Sequence, residues 1–204
     1  MKFYLSSFKF GKEKHRLKEL APTNRIAIIP NALDFRSADS ERTKQSLDNK
    51  LLRLTELGFT PEVIDLKDYF DKRDELRRLI DDIGSVFILG GNVFVLRQAM
   101  KLSGLDEIIM SHKDDPNFLY AGYSAAGCIL APSLEPYKAV DDITQAPYPN
   151  QGVILEGLGL VDFAFMPHFD SDHPESERIG DIINYCEQQS IKYKALRDGE
   201  VLIF

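Results

Sequence analysis

The chain has 204 residues, of which 44% are apolar and 28% charged, with a formal net charge of −7. This is the mix of an ordinary globular domain with material for one sizeable core, and its acidity excludes a nucleic-acid surface. No apolar run approaches the ~20 residues of a membrane span, the first residues meet charge too early for a signal peptide, and Cys128 and Cys186 lack any paired spacing. Neither a disulfide framework nor a structural zinc is therefore expected, and a reducing cytoplasm is the expected location.

Taken in order, Lys2–Ser6 reads as a strand, followed by a basic loop (Lys9, Lys12, Lys14, Arg16) expected to be solvated surface. Arg25–Pro30 is a continuous apolar run, as in a parallel strand covered on both faces. Ser40 is placed to cap a helix with the stripe Leu47, Leu51, Leu54 and Leu57, which Gly58 ends. Pro61–Leu66 reads as a strand and Asp71–Ile83 as a helix with Leu76, Leu79, Ile80 and Ile83 inward. Ser85–Leu89 is a further buried strand, and Gly90-Gly91-Asn92 opens a helix through Leu96 and Met100. A short helix is expected over Asp106–His112 and a strand over Leu119–Tyr123.

Asp141–Gly159 is rich in Pro, Gly, Gln and Asn and reads as an excursion over the surface. Val161–Met166 is a strand leading into Pro167-His168, and Glu175–Gln188 an amphipathic helix carrying Ile179, Ile182, Ile183 and Cys186. Ile191–Leu196 and Glu200–Phe204 are two last strands joined across Asp198-Gly199. Alternating strands and helices imply an α/β fold with a largely parallel sheet. No repeat or linker marks a boundary, so residues 1–204 read as one domain.

Chemistry concentrates in Leu119–Pro132. An apolar run meets Ser124, and Ala125, Ala126 and Gly127 follow, the pattern of a nucleophile elbow. Gly122 and Ala126, two positions either side of the serine, supply the small residues that such a corner needs. Ligands of open α/β sheets bind beyond the carboxyl ends of the strands. Gly90-Gly91, Ser124 and His168 each follow a strand, and so are expected on one edge of one sheet. They would supply a backbone donor, a nucleophile and a base for acyl transfer. His15 and His112 lie in polar surroundings. Cys128, one helical turn past the serine, reads as a buried structural thiol. His168, Asp170, Asp172, His173 and Glu175 could together hold a metal, although a loop leading into a helix start accounts for the same acids.

Gly90-Gly91-Asn92-Val93-Phe94, Gly122-Tyr123-Ser124-Ala125-Ala126-Gly127 and Met166-Pro167-His168-Phe169, in that order, resemble the peptidase S51 family of dipeptidase E (α-aspartyl dipeptidase) and cyanophycinase. The resemblance implies a three-layer, flavodoxin-like α/β fold similar to class I glutamine amidotransferases. It also implies a serine peptidase acting on short peptides, with Asp-Xaa dipeptides among them, through an acyl-enzyme and without a cofactor. Carried over by position, Ser124 is the nucleophile and His168 the base, and the backbone N–H groups of Gly91 and Ala125 form the oxyanion hole. The acid falls on Asp198, where the family more typically has glutamate. Asp198-Gly199 is equally a hairpin-turn dipeptide, so Asp141 and Asp142 stand as alternative acids. Ala126 also departs from the family's glycine. These departures motivate a second reading, a non-catalytic binding or regulatory relative, and a third is metal-dependent hydrolysis at His168, Asp170 and His173. Recognition of an N-terminal aspartate calls for a cation beside the pocket, with Arg97 and Lys138 as candidates.

Overall fold

The computed structural model describes residues 1–36, 41–145, 147–148 and 151–204; the expected cap Ser40 lies outside them. Its strands are β1 (Lys2–Ser6), β2 (Arg25–Ile29), β3 (Thr60–Val63), β4 (Ser85–Ile88), β5 (Leu119–Tyr123), β6 (Ala164–Met166), β7 (Tyr193–Ala195) and β8 (Val201–Ile203). Six of them form one sheet in the order β3-β2-β4-β5-β1-β8, parallel except for β8.

The apolar runs are explained by burial on both faces. Alternate residues of β1, β2, β4 and β5 divide cleanly between two cores. Tyr4, Ile26, Ile28, Phe87, Leu119 and Ala121 pack with Leu17 of α1 (Lys14–Leu20) and Leu54 of α2 (Glu41–Glu56). Phe3, Leu5, Ala27, Ile29, Val86, Ile88 and Tyr120 pack with α3 (Arg73–Ile83), α4 (Val93–Ser103) and α5 (Leu105–Ser111). The result is three layers, as the fold class requires.

Helix ends follow local chemistry. Asn92 caps α4 by accepting from the Phe94 and Val95 N–H groups at 2.8 and 3.2 Å. Gly84 ends α3 in a left-handed conformation at φ 70°, where a side chain would be strained. The structure departs from expectation in the basic segment, where Lys14–Leu20 is helical rather than loop: a single buried leucine, Leu17, anchors about two turns whose other faces are solvated. The third strand stops at Val63, because Asp65 accepts from Lys67 N–H at 3.0 Å and turns the chain into a 3-10 helix.

The larger correction concerns the last third of the chain. β6 and β7 do not join the main sheet. They pair parallel with each other as a separate two-stranded sheet, so His168 does not follow a strand of the sheet that carries Ser124. Nor do β7 and β8 form a hairpin across Asp198-Gly199. The chain leaves β7 there and crosses to β1, against which β8 runs antiparallel. β1 is already flanked by β5 and can accept only one more neighbour, which leaves the short strand β6 to pair with β7 alone. Among the described residues no helix is long and apolar enough to cross a membrane.

Candidate active site

The carboxyl ends of β1, β4 and β5 lie together because the three strands are parallel neighbours. β5 delivers Ser124, which stands directly before the short helix α6 (Ala125–Cys128) with φ 51° and ψ −111° and makes no side-chain capping bond to it. A positive φ on a serine is strained, as expected of a sharp strand-to-helix corner that projects its side chain. The corner depends on Gly122. A Cβ there would lie 2.4 Å from Ile88 O and 2.5 Å from the Ala126 Cβ. The absence of that Cβ is what makes room for Ala126 in place of glycine.

β4 delivers Gly91, where a Cβ would meet Ala32 O at 2.3 Å, so only glycine permits the backbone to pass. Gly91, Ser124 and Ala125 line one cleft with Pro167, Asp141 and Glu175. The Gly91 and Ala125 N–H groups have no protein partner among the described residues, leaving two unspent donors beside the serine. Cys128 also borders the cleft. Its thiol lies 3.5 Å from Phe165 O, and burial pushes its pKa well up, as suits a structural thiol.

The two-stranded sheet brings in the histidine. α6 presses on β6 through Gly127, where a Cβ would meet the Phe165 ring at 2.4 Å. Tyr137 holds the same strand: its hydroxyl donates to Phe165 O at 3.1 Å and accepts from Phe165 N–H at 3.0 Å. The ladder then continues past the strands, with Leu196 N–H donating to Met166 O and Phe169 N–H to Leu196 O. This register sets His168 beside Asp198, 30 positions away, with Nδ1 donating to Asp198 Oδ1 at 2.8 Å. His168 is 2% exposed, so its ring has nearly lost contact with water.

The resulting network reaches beyond the residues named from sequence. Ser7, just past β1, accepts from His168 N–H at 2.8 Å and donates to Asp198 Oδ1 at 2.8 Å. Ser171 Oγ accepts from Asp198 N–H at 2.8 Å. His173 stacks on His168 with ring centroids 3.6 Å apart, and Phe8 packs edge-on against both imidazoles. Ser7, Phe8 and Ser171 did not stand out in the sequence, and His173 did so only as a possible metal ligand; the one available signal for Ser7 was its place directly after a strand of the parallel sheet. With Nδ1 committed to a carboxylate, Nε2 keeps its lone pair and can act as a base. Burial, and then the neighbouring His173, lower the His168 pKa below the usual imidazole value, while Asp198 pulls it back up.

The other expected residues sit as follows. No hydrogen bond joins the Ser124 hydroxyl to His168 among the described residues, and His168 Nε2 faces Glu175 Oε2 at 4.0 Å. Asp141 Oδ2 accepts from Val93 N–H at 2.7 Å at the start of α4, and Asp142 caps Thr144; neither bonds to His168. Burial raises the Asp141 pKa to about 7. Arg97 is paired with Asp106 at 2.9 Å and Lys138 with Glu135 at 2.7 Å, and neither borders the cleft. Asp170 turns away to Arg197. Of the suggested metal ligands, His168, His173 and Glu175 gather, with ligand atoms within 4.8 Å of one another.

Comparison with known proteins agrees with this architecture. A peptidase E of Streptomyces coelicolor is 28% identical over 183 residues, covering 87% of this chain and 67% of that protein. An uncharacterised peptidase of Pasteurella multocida is 33% identical over 84 residues, 41% of this chain and 39% of its own. A Listeria monocytogenes EGD-e protein, crystallised as a candidate peptidase E, shares the fold at a TM-score of 0.73 and 22% identity, over 100% of this chain and 97% of that one. Residues 6–204 match the model of peptidase family S51, and the chain belongs to that family.

Proposed function

We propose that this peptidase is of the serine type and hydrolyses short peptides through Ser124, His168 and Asp198. The observation that carries the reading is the 2.8 Å bond from His168 Nδ1 to Asp198 Oδ1, set by the register of two paired strands, together with the strained corner at Ser124. His168 Nε2 takes the Ser124 proton as Oγ attacks the scissile carbonyl. The Gly91 and Ala125 N–H groups receive the developing oxyanion, and His168 then protonates the leaving amine. Water repeats the sequence on the acyl-enzyme. Contact between Ser124 and His168 closes when substrate displaces Glu175 from Nε2, since catalytic hydrogen bonds often tighten only in the complex.

Ser124→Ala should reduce kcat by ~10⁴-fold or more on dipeptides that the parent cleaves. Retained turnover would end the proposal, and a fluorophosphonate that fails to label Ser124 would favour the non-catalytic reading.

The gathering of His168, His173 and Glu175 favours a second reading, metal-dependent hydrolysis. Against it, the two imidazoles lie parallel to within 9°, so their in-plane lone pairs do not converge on one ion. Activity lost to chelators and restored by zinc would support that alternative.

A further inference from the structure

One of the two oxyanion donors belongs to a residue with no side chain to anchor it. Gly91 is fixed by its neighbours, and those neighbours are fastened from a distance. On one side it packs against the 3-10 turn Asn31–Leu33 that follows β2, so closely that a Cβ would lie 2.3 Å from Ala32 O and 3.0 Å from Leu33 Cδ2. On the other it continues into Asn92, whose own N–H donates to the same Ala32 O at 2.9 Å. The place of the Gly91 N–H is therefore only as definite as the places of this turn and of Asn92.

Asn92 is buried and uses both ends of its side chain. Its Oδ1 caps α4, while its Nδ2 donates to Asp142 O at 2.9 Å and to Gln145 Oε1 at 2.8 Å. The same stretch of chain is fastened a second time, where the buried Tyr148 donates its hydroxyl to Asp34 Oδ2. That oxygen also accepts from Asn31 Nδ2 at 2.7 Å. Asn31, fully buried, gives its Nδ2 to Asp65 Oδ1 as well, at 2.8 Å, and its Oδ1 accepts from the Leu66 N–H at 3.0 Å. Both flanks of Gly91 are thus tied to one distant segment. Asn31, Asp34, Asn92 and Tyr148 all stand outside the lining of the cleft.

Resting on the serine-peptidase reading above, we propose that Asn92 and Tyr148 are positioning residues for the oxyanion hole. Through Asp142, Gln145 and Asp34 they clamp the backbone on either side of Gly91 and hold its N–H where the oxyanion, rather than the ground-state carbonyl, requires it. Such donors work at about 2.7–3.1 Å from the developing charge, and removing one outright costs ~10²–10³-fold in kcat. Loosening the frame of a donor costs part of that. The loss falls on the transition state and leaves substrate affinity alone.

The test uses the full chain, with active enzyme counted by fluorophosphonate titration of Ser124. The probe is a trifluoromethyl ketone carrying the acyl-side residue of the dipeptide cleaved best, and its control is the corresponding trifluoromethyl alcohol. Ser124 Oγ adds to the ketone carbon, the carbonyl π pair moves onto oxygen, and the serine proton passes to His168 Nε2. A hemiketal oxyanion is left facing Gly91. The alcohol fills the same cleft and forms no oxyanion.

Asn92→Ser keeps an oxygen to cap α4 and has no amide to hold the segment. It should weaken the ketone and lower kcat/KM by a common factor of about tenfold, with KM and alcohol affinity within about twofold of the parent. Asn92→Asp, of the same size and without amide hydrogens, should fall at least as far. Tyr148→Phe should weaken the ketone by about threefold on the same pattern, the scale of one hydrogen bond. Each is read as the ratio of ketone to alcohol within one variant, so altered stability does not mimic it. If Asn92→Ser or Tyr148→Phe weakens ketone and alcohol alike, or leaves both unmoved, this proposal alone falls. If neither the fluorophosphonate nor the ketone engages Ser124 in the parent, the peptidase reading falls and takes it along.

Discussion

Asp198→Asn removes one charge while preserving the shape of the side chain that orients His168. In the parent, Asp198 Oδ1 receives the His168 Nδ1–H and the Ser7 Oγ–H, each at 2.8 Å. An asparagine serves both donors only with its carbonyl oxygen in that position. With the amide turned over, its NH₂ donates to Nδ1, the ring proton moves to Nε2, and the base no longer has a lone pair for Ser124. The imidazolium formed during attack also loses its carboxylate. A fully buried triad loses ~10⁴-fold in kcat on this change, about 5.4 kcal/mol of barrier. The Asp198 side chain is 23% exposed, so water screens part of the charge. A fall of roughly 10²–10⁴-fold is expected.

The pH profile gives an independent readout. Because burial and His173 hold the His168 pKa below its ordinary value of ~6.5, the neutral base persists into mildly acid solution, and the acid limb of kcat/KM lies below that value. Asp198 opposes that lowering, so removing its charge should move the limb to still lower pH. The assay is kcat/KM between about pH 4.5 and 8, alongside the rate of Ser124 phosphonylation. A variant that labels within about threefold of the parent, with its acid limb unmoved, would refute the assigned role.

Other changes probe the frame that holds this pair. Ser7→Ala deletes the acceptor for the buried His168 N–H and a donor to Asp198; it should slow Ser124 labelling by about tenfold, one charge-assisted bond, and cost about 1–3 kcal/mol in denaturant unfolding. Tyr137→Phe leaves the buried Phe165 N–H without its partner and should cost about 1–3 kcal/mol in denaturant unfolding. Gly122→Ala drives a Cβ against Ile88 O and the Ala126 Cβ, and should destabilise by about 1–3 kcal/mol or more. Adding Ala126→Gly relieves only the second contact, so full rescue would show that the backbone oxygen is not the obstacle.

Much of this architecture was legible in the chain itself. Apolar runs such as Arg25–Pro30 and Leu119–Tyr123 announce strands buried on two faces, because both sides of each strand must leave water. Gly58 and Asn92 mark helix ends through the conformation and capping that their residue types favour. The elbow was equally local: Gly122, Ser124 and Ala126 meet across a few bonds. The three motifs in order were enough to suggest the family to which the chain belongs.

What only the tertiary structure decided was the pairing of the histidine. Asp198 was expected as its partner only through the family resemblance, with Asp141 and Asp142 as alternatives, since strand register between β6 and β7 is a long-range property that no local spacing encodes. The crossing of the chain from β7 to β8, rather than a hairpin, sets Asp198 at the carboxyl edge next to Ser7. The stacking of His173 and the placing of Ser7 arise likewise from segments distant in sequence. Their encounter depends on how two sheets pack around α6, and Gly127 against Phe165 is the contact that fixes it.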